Sequence, residues 1–305
     1  MDLSVVIVNW NTKDLLLGCL ASVYQTIHNL RFEVWLVDNA SRDGSVAAAQ
    51  EQFPEIQVIQ NSHNLGFAAA NNRALRQMEG RYALLVNTDA VLTKGAVHEL
   101  FRFMENTREA AMVCGQLLNL DGTKQNSIAN FPSFMSLLNN ETLLRIFFPG
   151  TYPSKLRQYN GPVEVESCIG ACMMVRKAAM DGVGLLDERF FFFFEETDWA
   201  GRMRRAGWKI FFLPSARIFH GQGQSVGHDV RSRLLFYRSR YQYLKKWFPQ
   251  VYPLMYATVI FRLLLNTLFT GFMVLFTVFC SPKARRRLTV FFKILMWHLR
   301  GCPEL

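Results

Sequence analysis

Four short apolar runs, rich in β-branched residues, recur through the first ninety residues, and the helical stretches between them fix what this chain folds into. Leu3–Val8, Glu33–Val37, Ile56–Gln60 and Tyr82–Val86 read as buried strands of a parallel sheet. Leu15–Val23, Ser45–Gln52 and a stretch ending at Met78 carry helical periodicity. Strand and helix in alternation predict an α/β domain with a mostly parallel central sheet. Such sheets bind ligands at the carboxyl ends of their strands. Asp38 and Asp89 each fall just past a predicted strand end, so both belong to one edge, where packing gives no reason for a carboxylate.

Residues 116–165 are less periodic and hold the turn signals NLDGT and FFPGTYP, as expected of an irregular, substrate-facing half. Glu166–Val175 reads as another strand. Then comes RFFFFFEETDWAGRMRRAGW, residues 189–208, where five phenylalanines lead into Glu195, Glu196 and Asp198. Acids beside apolar surface hold their protons, whereas a helix N-terminus favours the anion. The acids either cap the helix predicted over Thr197–Ala206 or move protons. Asp198 is spaced i,i+4 from Arg202, and Gly207 is the expected helix stop. Arg202, Arg204 and Arg205 read as a solvated basic face. Lys209–Leu213 is a further strand, followed by FHGQGQS.

Composition matters most for the tail. Residues 231–305 hold 13 of the 34 Lys and Arg and one of the 24 acids, so they carry +12 while the first 230 residues carry −2. Val251–Cys280 is almost wholly apolar, broken by Pro253, Arg262 and Asn266, and Leu263–Cys280 is 18 residues without a charge. Basic clusters flank this stretch on both sides, and one span would leave one cluster on the wrong face of a membrane. A helical hairpin or an in-plane helix is therefore expected, with Leu288–Leu299 as a second interfacial helix. The expected division is a catalytic domain over 1–230 and a basic, apolar, membrane-associated helical region over 231–305. An anionic membrane surface is the expected partner, and nucleic acid is not, because the cations interleave with Leu, Phe and Val.

Six scattered cysteines form no zinc-type set. The opening MDLSVVIVNW has no basic n-region and is not expected to act as a signal peptide. VNWNTKD, after the first strand, has no glycine, against a dinucleotide site or a P-loop. No G-x-S-x-G nucleophile turn occurs either. A bound phosphate would need other neutralisation, and a divalent cation on carboxylates is the obvious means.

Taken in order, VVIVNWN, VDNASRDGS, NLGFAAANN, LLVNTDAVL, GACMMVRKAAMDGVGLLDERFFFFFEETDWAGRMRRAGWK and HGQGQS resemble family 2 glycosyltransferases, nearest the bacterial rhamnosyltransferase-like branch. The resemblance covers about residues 3–226. It implies a GT-A fold, a nucleotide-sugar donor, Mg²⁺ or Mn²⁺, inversion at the anomeric carbon, and a polyprenyl-diphosphate-linked or polysaccharide acceptor at the cytoplasmic face of the plasma membrane. L-rhamnose from dTDP-rhamnose is the first expected donor, with UDP-GlcNAc, UDP-Gal or GDP-Man as alternatives. A non-catalytic membrane-associated module on a degenerate transferase fold is the other-class alternative.

By position, the resemblance puts Asn9, Asp38, Asn64, Gly66, Asn71, Asn87 and Asp89 at the nucleotide-sugar. Asp38 is also explained as an Asx-turn acceptor, and Asp89 as the cap of a following helix. NTD matches the D-x-D metal motif with Asn87 in its first place, leaving Asp89 as the motif's carboxylate. His220 matches the histidine that completes the metal or diphosphate site, in H-x-x-G-x-S with Gly223 and Ser225. FEETDW matches FEDVDL, which makes Glu196 the catalytic base, one carbon–carbon bond longer than the usual Asp. Gly170, Ala171, Glu195 and Asp198 fall on the acceptor side.

Overall fold

The computed structural model describes residues 1–138, 141–152, 156–221, 230–277 and 281–303. Two compact units share the chain: residues 1–131 with 154–225, and residues 132–153 with 226–305. Gly223 and Ser225 of the histidine motif lie outside the described residues.

The first unit begins with β1 (Leu3–Asn9), α1 (Lys13–Thr26), β2 (Phe32–Asp38), α2 (Ser45–Gln52), β3 (Gln57–Gln60), α3 (Gly66–Leu75) and β4 (Tyr82–Asn87). It continues with β5 (Ala90–Leu92), α4 (Ala96–Asn106), β6 (Ala110–Leu118) and β7 (Ile128–Ala129). The chain then gives α5 (Phe134–Leu138) and α6 (Glu141–Phe147) to the second unit. It returns with β8 (Val163–Val165), β9 (Ser167–Cys168), β10 (Cys172–Arg176), α7 (Lys177–Val183), α8 (Glu195–Arg205) and β11 (Lys209–His220).

Among the described residues, nine strands form one sheet in the order β3-β2-β1-β4-β10-β6-β11-β5, with β8 on β11. Its first half is parallel. β10 runs antiparallel to both β4 and β6, and β11 runs parallel to β6. Winding reverses between β1 and β4, the switch point at which α/β sheets leave a crevice.

Alternation along β1 sorts the two cores. Leu3, Val5 and Ile7 pack with Leu16 and Leu20 of α1 and Leu100 of α4. Val6 faces the other way, against Ala70 and Ala74 of α3 and Trp199 and Met203 of α8. Each fully buried leucine or isoleucine contributes about 1.5–3 kcal/mol, so a sheet covered on both faces is a stiff base for the residues at its edge.

Two strands differ from expectation. The run 166–175 is broken at Ile169–Ala171, because β9 pairs with β7 in a small separate sheet while β10 joins the main one. The strand expected to end at Leu213 continues to His220. Its register shifts between Leu213 and Arg217, a bulge that accommodates Pro214 and its missing N–H. The helix stop at Gly207 is as expected, with φ +89°.

In the second unit, α9 (Val230–Trp247), α10 (Tyr252–Phe276) and α11 (Pro282–Leu299) join α5 and α6. α10 is one continuous helix from Tyr252 to Phe276, so no hairpin turn falls within that part of the apolar stretch, and 278–280 lie outside the described residues. α10 and α11 run antiparallel. Gly271 lies beside Leu288 near one end, and Tyr256 Oη lies 3.8 Å from Cys302 Sγ at the other. His298 of α11 donates from Nδ1 to the Ile294 carbonyl, which leaves Nε2 to accept from Tyr241 Oη of α9 at 2.7 Å. Arg262, the charge that interrupts the apolar stretch, donates to the carbonyls of Ser136 and Leu137 at 3.2 and 3.0 Å, closing the C-terminus of α5.

Candidate active site

Strand register gathers the expected residues on one edge. Asn9 pairs with Asp38, and Val8 with Asn87, so the carboxyl ends of β1, β2 and β4 are level. Cys172 pairs antiparallel with Val86, which sets Gly170 and Ala171 at the same end. β11 runs in the direction of β4 and brings its last residue, His220, there as well. β5 then pairs antiparallel with β11, Ala90 opposite His220, and this pairing sets Asp89 beside the histidine.

At the β1–β2 end the polar groups are largely engaged with one another. Asn9 Nδ2 lies 2.9 Å from Asp38 Oδ1 and from Ser41 Oγ, and 2.7 Å from Ser45 Oγ. Asp38 Oδ2 accepts from the Ser41 N–H at 2.8 Å, so the Asx-turn geometry is present. Asn9 and Asp38 are both buried. Asn64 Oδ1 accepts from the Gly66 N–H at 2.9 Å, and Asn71 donates back to the Phe67 carbonyl inside α3. Asn39, Asn61 and Asn72 were not anticipated. Asn39 bridges Asn61 and the Gly66 carbonyl, while Asn72 bonds both the N–H and the carbonyl of Leu186. Within strings of small and polar residues they carried no local signal.

Asp89 is buried, with Oδ1 3.4 Å from His220 Nε2. It does not cap the next helix, whose N-cap is Gly95. Gln125 determines what the histidine presents. Its Nε2 donates to the His220 carbonyl and to Asn119 Oδ1, so Oε1 is the atom facing His220 Nδ1 at 2.9 Å. A carbonyl-type oxygen only accepts, so Nδ1 carries the hydrogen. In the neutral ring Nε2 then turns a lone pair toward the Asp89 carboxylate. Two electron-pair donors this close and this buried suit a shared cation. Among the described residues no group of three or more His, Cys, Asp or Glu could hold a metal, so these two side chains fit a divalent ion only if ligand oxygens and water complete its shell. Half-buried Asn87 is anchored by its backbone, its N–H donating to the Ala171 carbonyl at 2.9 Å.

The phenylalanine run makes a turn. Phe193 and Phe194 adopt φ +72° and +71°, a conformation that costs non-glycine residues about 1–2 kcal/mol each. The turn aims α8 so that Glu195 and Glu196 open its first helical turn, with no side chain capping the helix. Glu196 lies against Gly170: a methyl group at Gly170 would sit 3.7 Å from its Cγ. Burial pushes the Glu196 carboxyl up to about 7, against the pull of the Glu196 and Thr197 N–H groups. Burial, then the neighbouring Glu196 charge, holds the Glu195 carboxyl well above the usual range, and its Oε2 finds no hydrogen-bond partner among the described residues. Asp198 is fully buried and bonded to Arg202 at 2.9 Å, the expected i,i+4 pair. Arg202 also donates to the Val183 and Leu185 carbonyls, and Arg204 to Glu164 and the Val165 carbonyl, so these two are engaged rather than solvated, while Arg205 is exposed.

An N-acetylglucosaminyl-diphospho-decaprenol L-rhamnosyltransferase of Mycobacterium tuberculosis is 29% identical over 227 residues, 69% of this chain and 74% of that protein. The low-salt glycan biosynthesis hexosyltransferase Agl10 of Haloferax volcanii is 25% identical over 225 residues, 72% of this chain and 67% of that one. The mannosyltransferase PcManGT from Pyrobaculum calidifontis, solved with GDP-Man and Mn²⁺, superposes with a TM-score of 0.59 at 13% identity, covering 98% of this chain and 86% of that one. That likeness is one of fold, the GT-A fold. The model of the family described as Glycosyl transferase family 2 matches residues 4–184. With more than half of its length inside that match and its polar residues collected at the carboxyl edge of a GT-A sheet, the chain belongs to glycosyl transferase family 2 and is a glycosyltransferase.

Proposed function

We propose that this glycosyltransferase is inverting and metal-dependent, and that it moves L-rhamnose from dTDP-rhamnose onto a polyprenyl-diphosphate-linked saccharide at the cytoplasmic face of the plasma membrane. The observation that carries the catalytic part is the raised Glu196 carboxyl beside Gly170, on the edge that also holds Asp89 and His220. The choice of donor and acceptor rests on the mycobacterial rhamnosyltransferase, whose name specifies both a rhamnosyl group and a decaprenyl diphosphate.

In this mechanism Asp38, held by Asn9, meets the nucleoside, and the Asn64–Gly66 turn runs beneath it. Asp89 and His220 Nε2 would hold the divalent ion, as the Mn²⁺ in the mannosyltransferase complex suggests for the fold. When bound, that ion supplies positive charge to the departing diphosphate. Glu196, with a carboxyl near neutrality, takes the proton from the acceptor hydroxyl as its oxygen attacks the anomeric carbon. Gly170 and Ala171 leave room for the acceptor beside that carboxylate. The phenylalanine turn keeps water from the base, and the Asp198–Arg202 pair fixes the helix that carries it.

The test is a panel of nucleotide-sugars, with and without Mn²⁺, read as nucleoside diphosphate release on a polyprenyl-diphosphate-linked acceptor. Release from dTDP-rhamnose above UDP-GlcNAc, UDP-Gal and GDP-Man supports the proposal. Preference for another donor overturns the rhamnose assignment, and metal-independent release overturns the metal.

A further inference from the structure

We propose that α5, α6 and α10 together form a surface that enters one leaflet of an anionic bilayer, with α10 lying in the membrane plane. This rests on the reading that residues 231–305 meet a membrane, and extends it to a segment more than eighty residues earlier in the chain.

α10 has two opposite faces. Phe261, Leu265, Leu268, Phe272 and Phe276 are exposed and recur every three or four residues, a single apolar stripe. Met255, Val259, Leu263 and Val274 are buried on the far side. The α5–α6 segment adds exposed Leu138, Leu143, Ile146, Phe147 and Phe148 in the same unit. Leu268 and Phe147 are each 70% exposed, far beyond the isolated apolar residues of an ordinary surface. The two parts are fastened to each other: Arg262 of α10 bonds the last carbonyls of α5. The one charge within α10 is thus turned to its neighbour and off the apolar stripe.

Charge selects lipid as the occupant. α11 exposes Lys283, Arg285, Arg286, Arg287 and Lys293 and has no acid between Pro282 and Leu299. An apolar stripe beside a basic helix matches the boundary between acyl chains and anionic headgroups. The pairing of the two helices decides between lying flat and spanning. α11 follows α10 from Leu288 beside Gly271 to Cys302 beside Tyr256. An α10 set across the bilayer would carry Lys293 into hydrocarbon with no carboxylate of α11 to meet it, while Arg285, Arg286 and Arg287 stay level with the last turn of α10. Lying flat keeps every one of those cations at headgroup level.

The test uses the full chain with Cys280→Ser and Cys302→Ser, and an environment-sensitive fluorophore on Ile146→Cys or Leu268→Cys. Vesicles of phosphatidylglycerol with phosphatidylethanolamine are compared with phosphatidylcholine vesicles, with a nitroxide at a shallow acyl position as quencher. Both labels shift to the blue and are quenched on the anionic vesicles and not on the neutral ones, and Phe147→Asp weakens partition at least about tenfold. Insertion at position 268 with position 146 left in water overturns the proposal and leaves the tail's membrane reading standing. Water at both positions overturns both. Maleimide labelling of Lys245→Cys and Arg286→Cys from opposite sides of the vesicle means that α10 spans, and overturns the in-plane arrangement. A blue shift without vesicles in a dimeric protein makes a second copy the occupant and overturns the proposal.

Discussion

Gly66 and Phe191 are packed so closely that the N–H following Gly66 donates to the Phe191 carbonyl at 2.7 Å, and a methyl group on Gly66 would lie 2.7 Å from a Phe191 ring carbon. The loop expected beneath the nucleotide is thereby bonded to the segment that delivers Glu196. Gly66→Ala therefore adds a clash to the strain of φ +82°. Gly44, at φ +75° with open space around it, is the control for strain alone. Urea denaturation should show about 1 kcal/mol lost in Gly44→Ala and about 2–4 kcal/mol in Gly66→Ala. Equal losses would mean the contact is slack.

Glu196→Gln should lower nucleoside diphosphate release by about a hundredfold or more while donor affinity stays within about threefold. The proton acceptor works only when ionised, so wild-type kcat/KM should fall as pH drops through about 7. A pH–rate profile and isothermal titration with the donor read the two halves separately. Near-normal turnover in the variant removes Glu196 from the base role.

The Glu195 carboxyl is held above its ordinary range, so the folded protein retains a proton that the unfolded chain releases. Stability contributed by that site is full at low pH and is lost as pH rises past the ordinary carboxylate range. Glu195→Gln is neutral throughout. Its Tm should exceed the wild type's at pH 8, and the gap should close toward pH 5. A variant less stable at pH 8 would show that the ionised form is the one the fold prefers.

Gln125→Ala removes the acceptor that sets the His220 tautomer. Mn²⁺ affinity, followed by the electron paramagnetic resonance of the free ion, should fall about 10–100-fold. Glu196→Gln should leave that affinity unchanged, which separates the metal pair from the base.

What the sequence disclosed was what neighbours in the chain decide. The β1, β2 and β4 strands and the Ser45–Gln52 helix follow from periodicity, the Gly207 stop from its backbone freedom, and the Asp198–Arg202 pair from helical spacing. The conjunction at the candidate site came from resemblance, since nothing local joins Asp89 to a histidine more than a hundred residues later. Gln125 was invisible because its partner is 95 residues away and its own surroundings are an ordinary turn. The break at Ile169–Ala171 was hidden because apolar residues continue across it while the chain changes sheets. Arg262 read as an interruption until the α5 carbonyls it serves were in view.

That arginine also sets an order of events during synthesis. When the ribosome has finished residue 225, Ser136 and Leu137 are already made and their helix lacks the guanidinium that closes it. The α5 segment around Leu137 must wait for residues 226–305 before its own unit is assembled. A chain shortened before Tyr252 would keep every strand of the sheet and leave buried Leu137 without the helix packed on α5, so stickiness in such a fragment would report a missing neighbour and not a misfolded sheet.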